Sequence, residues 1–304
     1  MKSMTKKITA TALFGVLAVS AFAGCGGAGS SSNGSSNAGS DAAKFDASKT
    51  ISVVTREEGS GTRDAFTELT GVLVKDGDNK TDNTTTSAVT INSTEAVITN
   101  VKDNEAAICY ISLGSLNDTV KALKIGGVEA TADNVKSGDY AVSRPFNIAY
   151  KGELSDVAQD FVDYIMSSDG QKIVSDNGYV TVSENAAYSG KKPSGKISVA
   201  GSSSVSPVME KLKESYLKVN TNAEIELQTS DSTAGMTGAM EGTCDIGMAS
   251  RELKDSESAA LTATPIALDG IAVIVNPQNP TDDMSTEDIK DIFTGTKTMW
   301  SEIA

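Results

Sequence analysis

Residues 51–62 read ISVVTREEGSGT, a short apolar segment that ends in a polar, glycine-containing turn. The β-branched content of Ile51 to Val54 predicts a strand, and the run from Thr62 to Leu69 predicts a helix. Strands that alternate with helices are typical of α/β proteins. This stretch therefore predicts an α/β fold with a tight turn at the start of a helix.

The same unit recurs twice further along the chain. Residues 197–208 read ISVAGSSSVSPV and enter an amphipathic run from Val205 to Tyr216. A third strand, Ile225 to Leu227, precedes a Ser/Thr turn and a predicted helix from Ala234 to Met240. Helix N-termini offer unpaired N–H groups and a positive partial charge to anions, although Ser and Thr there also simply cap helices. Three such turns, one of them beside Arg56, favour a shared anion site.

The start of the chain predicts export. Three lysines within the first seven residues precede an uncharged, largely apolar stretch from Ile8 to Ala23. Because a membrane-spanning helix needs about 20 apolar residues, this shorter stretch predicts a removable signal peptide over residues 1–24. Small residues before Cys25 resemble the bacterial lipoprotein signal, which predicts a lipid on that cysteine. An ordinary cleavage site with a chance cysteine is the alternative.

Composition narrows the classes of function. Residues 25–46 are mostly Gly, Ser, Asn and Ala, which predicts a flexible linker after the lipidated cysteine. The first 24 residues hold three of the 26 basic residues and none of the 40 acidic ones, so the remainder carries a formal net charge of −17. That charge argues against nucleic acid as a partner. The chain has no histidine, which removes the commonest general base and zinc ligand. Cys109 and Cys244 are expected to be buried small residues, with a disulfide between them as the alternative.

Longer motifs carry a resemblance to a known family. They are VAGSSSVSP at 199–207, STAG at 232–235, DIGMASR at 245–251, REEGSGTR at 56–63 and YISLG at 110–114. With them, residues 197–302 resemble the amino-terminal half of the phosphate-binding receptors of ABC phosphate importers. Residues 51–182 resemble the carboxy-terminal half of the same family. The halves stand in reverse order, which predicts a circular permutation, or alternatively a fragment of a longer tandem protein.

The resemblance implies a two-lobed periplasmic-binding-protein fold of type II. Each lobe would be a mixed sheet flanked by helices, with the ligand in the cleft between lobes joined by two crossing strands. In the permuted order, lobe B comprises residues 47–142 plus 276–304, and lobe A comprises 143–275. Ala304 is then expected near Lys49, because permutation is tolerated where chain ends are close together.

The resemblance also nominates a phosphate site. The binding residues carried over from the family motifs are Arg56, Ser60, Gly61 and Thr62 from one lobe, and Ser203, Ser204, Ser232 and Ser250 from the other. Glu58 matches an acidic position that orients the arginine. Ser250 stands where many members have an aspartate that accepts the proton of hydrogen phosphate, so weaker rejection of sulfate is expected. Asp231 is a candidate substitute acceptor, and Arg251 adds a positive charge nearby.

The expected function is that of a receptor rather than an enzyme. It would be a monomer, lipid-anchored on the extracytoplasmic face of the cell membrane, that captures inorganic phosphate for the permease subunits of an ABC importer. No cofactor or metal is expected. The alternatives are a receptor for sulfate, molybdate or tungstate, and a phosphate sensor or surface protein that takes no part in transport. A phosphatase is disfavoured because no nucleophile has an evident base.

Overall fold

The computed structural model describes residues 45–77 and 79–303. The predicted signal peptide, the lipidation of Cys25 and nearly all of the 25–46 linker lie outside the described residues and stay predictions. Within the described ranges, every helix is too short or too polar to cross a membrane.

Strands and helices alternate along most of the described chain. The strands are β1 Ser52–Arg56, β2 Leu73–Asp76, β3 Asn79–Asp82, β4 Val89–Ile91, β5 Ala107–Ser112, β6 Lys121–Ala122, β7 Lys124–Ile125, β8 Ser143–Tyr150, β9 Gly195–Ser202, β10 Ala223–Ser230, β11 Ile246–Ala249, β12 Thr262–Val275 and β13 Asp283–Met284. The helices are α1 Gly61–Leu69, α2 Thr94–Asp103, α3 Ala132–Ser137, α4 Asp156–Met166, α5 Ser168–Asp176, α6 Ser206–Val219, α7 Ser232–Glu241, α8 Asp255–Ser258 and α9 Thr286–Thr294.

One mixed sheet runs through the molecule in the order β10-β9-β11-β8-β12-β5-β1-β4, with β6 beside β12. Its two ends are parallel pairs, β9 with β10 and β11, and β1 with β4 and β5. Its centre is antiparallel, because the long strand β12 pairs with β8 along its first part and with β5 along its last five residues. The strand β12 therefore crosses from one lobe into the other.

Two large hydrophobic cores lie on either side of this crossing. The first contains apolar residues from Ile51 to Val142 and again from Ile271 to Trp300. Val180, from the segment between α5 and β9, also belongs to it. The second contains residues from Phe146 to Ala267. Each core packs helices on a parallel part of the sheet, so the predicted two-lobed α/β architecture is confirmed.

The two ends of the described chain lie side by side. The N–H of Ile51 donates to the Thr298 carbonyl at 2.7 Å, and that of Trp300 donates to the Lys49 carbonyl at 3.3 Å. Phe45 meets the Trp300 ring edge-on, with centroids 6.0 Å apart. A permuted chain requires such adjacency, but it does not establish the permutation, which stays a prediction.

The locally predicted elements are close to those observed. Helix α1 begins at Gly61 rather than Thr62. Helix α7, the last of the three predicted helices, begins at Ser232, two residues before its predicted start. Cys109 and Cys244 are both free and buried. The prediction that they are buried small residues is confirmed, and the alternative of a disulfide between them is wrong. Burial raises the pKa of the Cys109 thiol to about 12, which keeps it protonated and unreactive.

Candidate anion-binding site

Four helices begin around one group of buried hydroxyls between the lobes. Helices α1 and α2 come from the lobe of the first core, and α6 and α7 from the other. We call the hydroxyl cluster the side chains of Thr62, Thr94, Ser202, Ser203, Ser204, Ser232 and Ser250, all of them buried. Strands β1, β4, β9 and β10 each lead into one of these helices, so the N-termini meet at one edge of the sheet. Unpaired N–H groups of helix first turns and their partial positive charge are therefore concentrated there.

Thr62 joins the two lobes within the hydroxyl cluster. Its Oγ1 lies 2.8 Å from the Ser204 Oγ and 3.3 Å from the Ser250 Oγ. The Ser250 N–H donates to the Ser232 Oγ at 3.1 Å. Thr94 closes the other side, with its Oγ1 3.4 Å from the Ser204 Oγ. These contacts link four predicted site residues, Thr62, Ser204, Ser232 and Ser250, into one network.

Arg56 is buried at the end of β1 and reaches across to the other lobe. Its Nη2 donates to the Ser203 Oγ at 3.0 Å. Its Nε and Nη2 also donate to the two carboxylate oxygens of Glu57, each at 2.8 Å. This bidentate pair fixes the plane of the guanidinium. Arg56 therefore lies at the predicted site, and its guanidinium is held in a fixed orientation against the hydroxyl cluster.

The predicted partner of Arg56 is wrong. Glu58 is exposed, and the carboxylate that grips Arg56 belongs to Glu57. Because β1 ends at Arg56, side chains beyond it no longer alternate between the faces of a sheet, so Glu57 can fold back onto the guanidinium. Glu58 instead lines an open groove beside Gly59 and Asp231.

The turn before α1 has a capping residue and a close-contact residue. The Ser60 Oγ accepts the N–H of Arg63 at 3.4 Å, so its hydroxyl serves as the N-cap of α1. At Gly61, an added Cβ would lie 2.4 Å from the Ser232 Oγ. Gly61 is therefore a point of close approach between the two lobes, and its N–H belongs to the helix turn that has no internal partner.

Ser250 lies inside the cluster, whereas the neighbouring charges of Asp231 and Arg251 point elsewhere. The Ser202 hydroxyl donates to the Ser250 Oγ at 3.0 Å. Asp231 caps α7, accepting the N–H of Ala234 at 2.8 Å. Arg251 is turned toward Glu257, to which its Nη1 and Nη2 donate at 2.6 and 2.8 Å. Burial alone would raise the pKa of Glu257, but its hydrogen bonds from Arg251 and the Lys254 backbone lower it, so this pair is charged and largely self-neutralised.

Besides Glu57 and Ser202, the sequence missed Thr94 and Arg144 as residues of the candidate site. Thr94 follows a short strand and starts a helix behind the N-cap Ser93, which is the same strand–turn–helix signal as in the three turns that were recognised. Arg144 had no such signal, because it lies inside β8 without a motif around it. Its Nη2 donates to the Thr62 Oγ1 at 3.1 Å, which brings a second guanidinium to the cluster.

The arrangement suits a small oxyanion with several acceptor oxygens. It combines two guanidinium groups, several hydroxyls and the first turns of four helices within a largely buried space. Such donors satisfy a dehydrated anion through charge-assisted hydrogen bonds. Among the residues that the structure describes, no group of three or more His, Cys, Asp or Glu side chains could hold a metal ion.

Comparisons with known proteins agree with this geometry. The model of the PBP superfamily domain matches residues 29–169 and 186–304. Phosphate-binding protein PstS 2 of Streptococcus agalactiae is 52% identical over 258 residues, which cover 84% of this chain and 88% of that protein. The crystal structure of a phosphate ABC transporter, phosphate-binding protein from Streptococcus pneumoniae TIGR4, is 50% identical with a TM-score of 0.68, over 84% of this chain and 100% of that one.

A more distant relative matches only part of the chain. Phosphate-binding protein PstS of Bacillus subtilis is 35% identical over 138 residues, which are 44% of this chain and 42% of that protein. The family resemblance first seen in the motifs is confirmed by the family model and by the long alignments together. The chain belongs to the PBP superfamily and, within it, to the family of PstS phosphate-binding proteins.

Proposed function

We propose that this protein is the extracytoplasmic receptor that captures inorganic phosphate and delivers it to an ABC-type importer. The observation that carries the proposal is the hydroxyl cluster, in which Arg56 and Thr62 of one lobe contact Ser203 and Ser204 of the other. An anion bound there touches both lobes at once, so its binding energy holds the lobes together. The names of the long-aligned relatives, which are phosphate-binding proteins, support phosphate as the anion.

The proposed ligand residues follow from the same contacts. Arg56, Thr62, Ser203, Ser204, Ser232 and Ser250 offer side-chain donors, and Gly61 offers its N–H. Ser60 contributes indirectly, because its hydroxyl caps α1 and so fixes the turn that carries Gly61 and Thr62. Glu57, not Glu58, orients Arg56.

The wider setting is also part of the proposal. The protein acts as a monomer without cofactor or catalytic activity, attached to the membrane through a lipid on Cys25, and it docks on permease subunits. Lobe B spans 47–142 plus 276–304 and lobe A spans 143–275, except that the last five residues of β12 pack in the first core and so belong with lobe B. The adjacency of the two ends of the described chain supports the permuted order. So does the contrast between the nearly full-length and the half-length alignments.

Calorimetric titration of the folded protein with phosphate, sulfate, molybdate and tungstate tests the proposal. Phosphate is expected to bind most tightly, and Arg56→Lys is expected to weaken it at least tenfold, because lysine lacks the planar fork that serves Glu57 and Ser203 together. Arg63→Lys is the matched control, since that guanidinium faces Asp82 and the Arg56 carbonyl.

Two outcomes of the titration would contradict the proposal, in different ways. Tight sulfate binding without phosphate binding would overturn phosphate as the ligand and favour a receptor for another oxyanion. A folded protein that binds none of the four anions would overturn the receptor function altogether.

A further inference from the structure

Arg144 and Asp269 form a buried ion pair beneath the hydroxyl cluster. They are 3% and 1% exposed, and they lie directly opposite each other on the antiparallel strands β8 and β12. The Arg144 Nη1 donates to the Asp269 carboxylate. These are the two strands that pass through the region between the cores, so the pair lies at the junction of both lobes.

Arg144 is held in one orientation by contacts on all three of its nitrogens. Its Nη1 also donates to the Gly270 carbonyl at 3.1 Å, and its Nε donates to the Ser250 carbonyl at 3.1 Å. Its Nη2 donates to the Thr62 Oγ1 at 3.1 Å. Four of its five N–H groups are thus engaged, and the guanidinium carbon lies 5.1 Å from the centre of the Phe146 ring. The side chain cannot swing away without breaking this set together.

This contact fixes the direction in which the Thr62 hydroxyl donates. An oxygen that accepts the Arg144 N–H must turn its own proton toward another acceptor. The nearest oxygens are the Ser204 and Ser250 hydroxyls of the other lobe, at 2.8 and 3.3 Å. The Thr62 proton therefore points into the cluster.

Two other hydroxyls have the same polarity. The Ser203 Oγ accepts from Arg56, and the Ser232 Oγ accepts from the Ser250 N–H. Their protons are likewise free to donate into the cluster. Hydroxyls from three parts of the chain are thus arranged as donors, which suits the ionised oxygens of a bound anion.

We propose that Arg144, oriented by Asp269, is a positioning residue that makes the Thr62 hydroxyl a donor to the bound anion and so raises affinity for it. The inference rests on the proposed phosphate-binding function and adds a residue that contacts the ligand site from the crossing strands. It predicts that Arg144 and Thr62 contribute to affinity as a coupled unit.

A double-mutant cycle tests this coupling. Arg144→Gln is combined with Asp269→Asn, because removing one charge alone would leave the other buried and unpaired. This charge-free pair is expected to weaken phosphate binding by roughly tenfold to a hundredfold, the range for a lost charge-assisted hydrogen bond. Thr62→Val is expected to weaken it similarly. When Thr62→Val is already present, adding the charge-free pair should weaken phosphate binding by less than about a further threefold.

The control is a buried carboxylate far from the cluster. Asp160 accepts hydrogen bonds from the Tyr188 and Tyr216 hydroxyls at 2.5 and 2.9 Å within the second core. Asp160→Asn should lower the melting temperature while phosphate affinity stays within about twofold of the unmodified protein. Arg144→Lys is the second variant if the charge-free pair does not fold, and it should also weaken binding because lysine cannot serve Thr62 and Ser250 together.

Three results would overturn the inference while leaving the proposed function intact. One is a charge-free pair, or failing that Arg144→Lys, with affinity within about twofold of the unmodified protein. Another is a loss in the Thr62→Val background as large as in the unmodified one. The third is an equal loss in Asp160→Asn, since affinity would then follow general stability. An unmodified protein that fails to bind phosphate would instead refute the proposed function.

Discussion

Gly61→Ala should weaken anion binding by forcing the two lobes apart. The Gly61 backbone begins a helix and has no left-handed conformation, so alanine fits it locally and is a better helix former by up to about 1 kcal/mol. The added Cβ, however, would lie 2.4 Å from the Ser232 Oγ and 3.0 Å from the Arg251 Cγ. Ordinary contacts begin at 3.4 Å, so the lobes must separate by about 1 Å, or Ser232 must turn and release its bond from Ser250.

The expected cost follows from the bonds that join the lobes at this point. They are Thr62 to Ser204 at 2.8 Å, Arg56 to Ser203 at 3.0 Å and the Thr233 N–H to the Gly59 carbonyl at 3.1 Å. A retreat of about 1 Å takes each of them beyond hydrogen-bonding range. An anion held between the lobes makes contacts of the same kind to these residues, and at about 0.5–1.5 kcal/mol for each of three contacts the total is about 1.5–4.5 kcal/mol. That corresponds to a loss of roughly 10- to 2000-fold in anion affinity.

The assay is calorimetric titration with phosphate, paired with thermal unfolding in the absence of anion. We expect weaker anion binding together with a lower melting temperature, because the anion-free protein loses the same bonds between its lobes and the better helix propensity of alanine offsets only part of that loss. Gly238→Ala is the matched control, because its Cβ would meet only Cys244 and Thr243 of the same lobe, at 3.1 and 3.2 Å. Affinity of Gly61→Ala within about threefold of the unmodified protein would refute the reasoning that this glycine sets the approach of the lobes.

Two further predictions concern charge. Ser250→Asp should weaken sulfate binding by more than about a hundredfold relative to phosphate. The reason is that a carboxylate can accept the proton of hydrogen phosphate but repels a fully ionised anion. Competitive titrations with the two anions measure this, and an unchanged sulfate affinity would contradict it. Burial raises the pKa of Asp269 to about 6 despite the nearby Arg144, so the folded state holds that proton more tightly than the unfolded chain does. The contribution of Asp269 to stability is therefore fully present below about pH 4 and is lost as pH rises through about 6, by up to about 3 kcal/mol. As pH falls from about 6 to about 4, the melting temperature of the unmodified protein should therefore rise relative to that of Asp269→Asn; parallel curves would argue against the raised pKa.

Local signals predicted much of the site. A strand that leads into Ser, Thr or Gly at a helix start is specified within about ten residues, since capping and helix initiation depend on near neighbours. That is why the turns at Gly61, Ser203 and Ser232 were recognised, and why Thr94 could have been. The motifs around them also identified the family and the two-lobed fold, which the comparisons confirm.

Partner choice was decided by the tertiary structure. Arg56 has two glutamates directly after it, and only the end of β1 makes Glu57 rather than Glu58 its partner. Arg144 carries no local pattern, and it reaches the site because β8 pairs with β12 at Asp269, 125 residues away along the chain. Sequence by itself thus determined which turns can bind an anion, because their chemistry is local. Only the folded chain determined which charges face them, because contacts between distant strands depend on register and packing that no short stretch encodes.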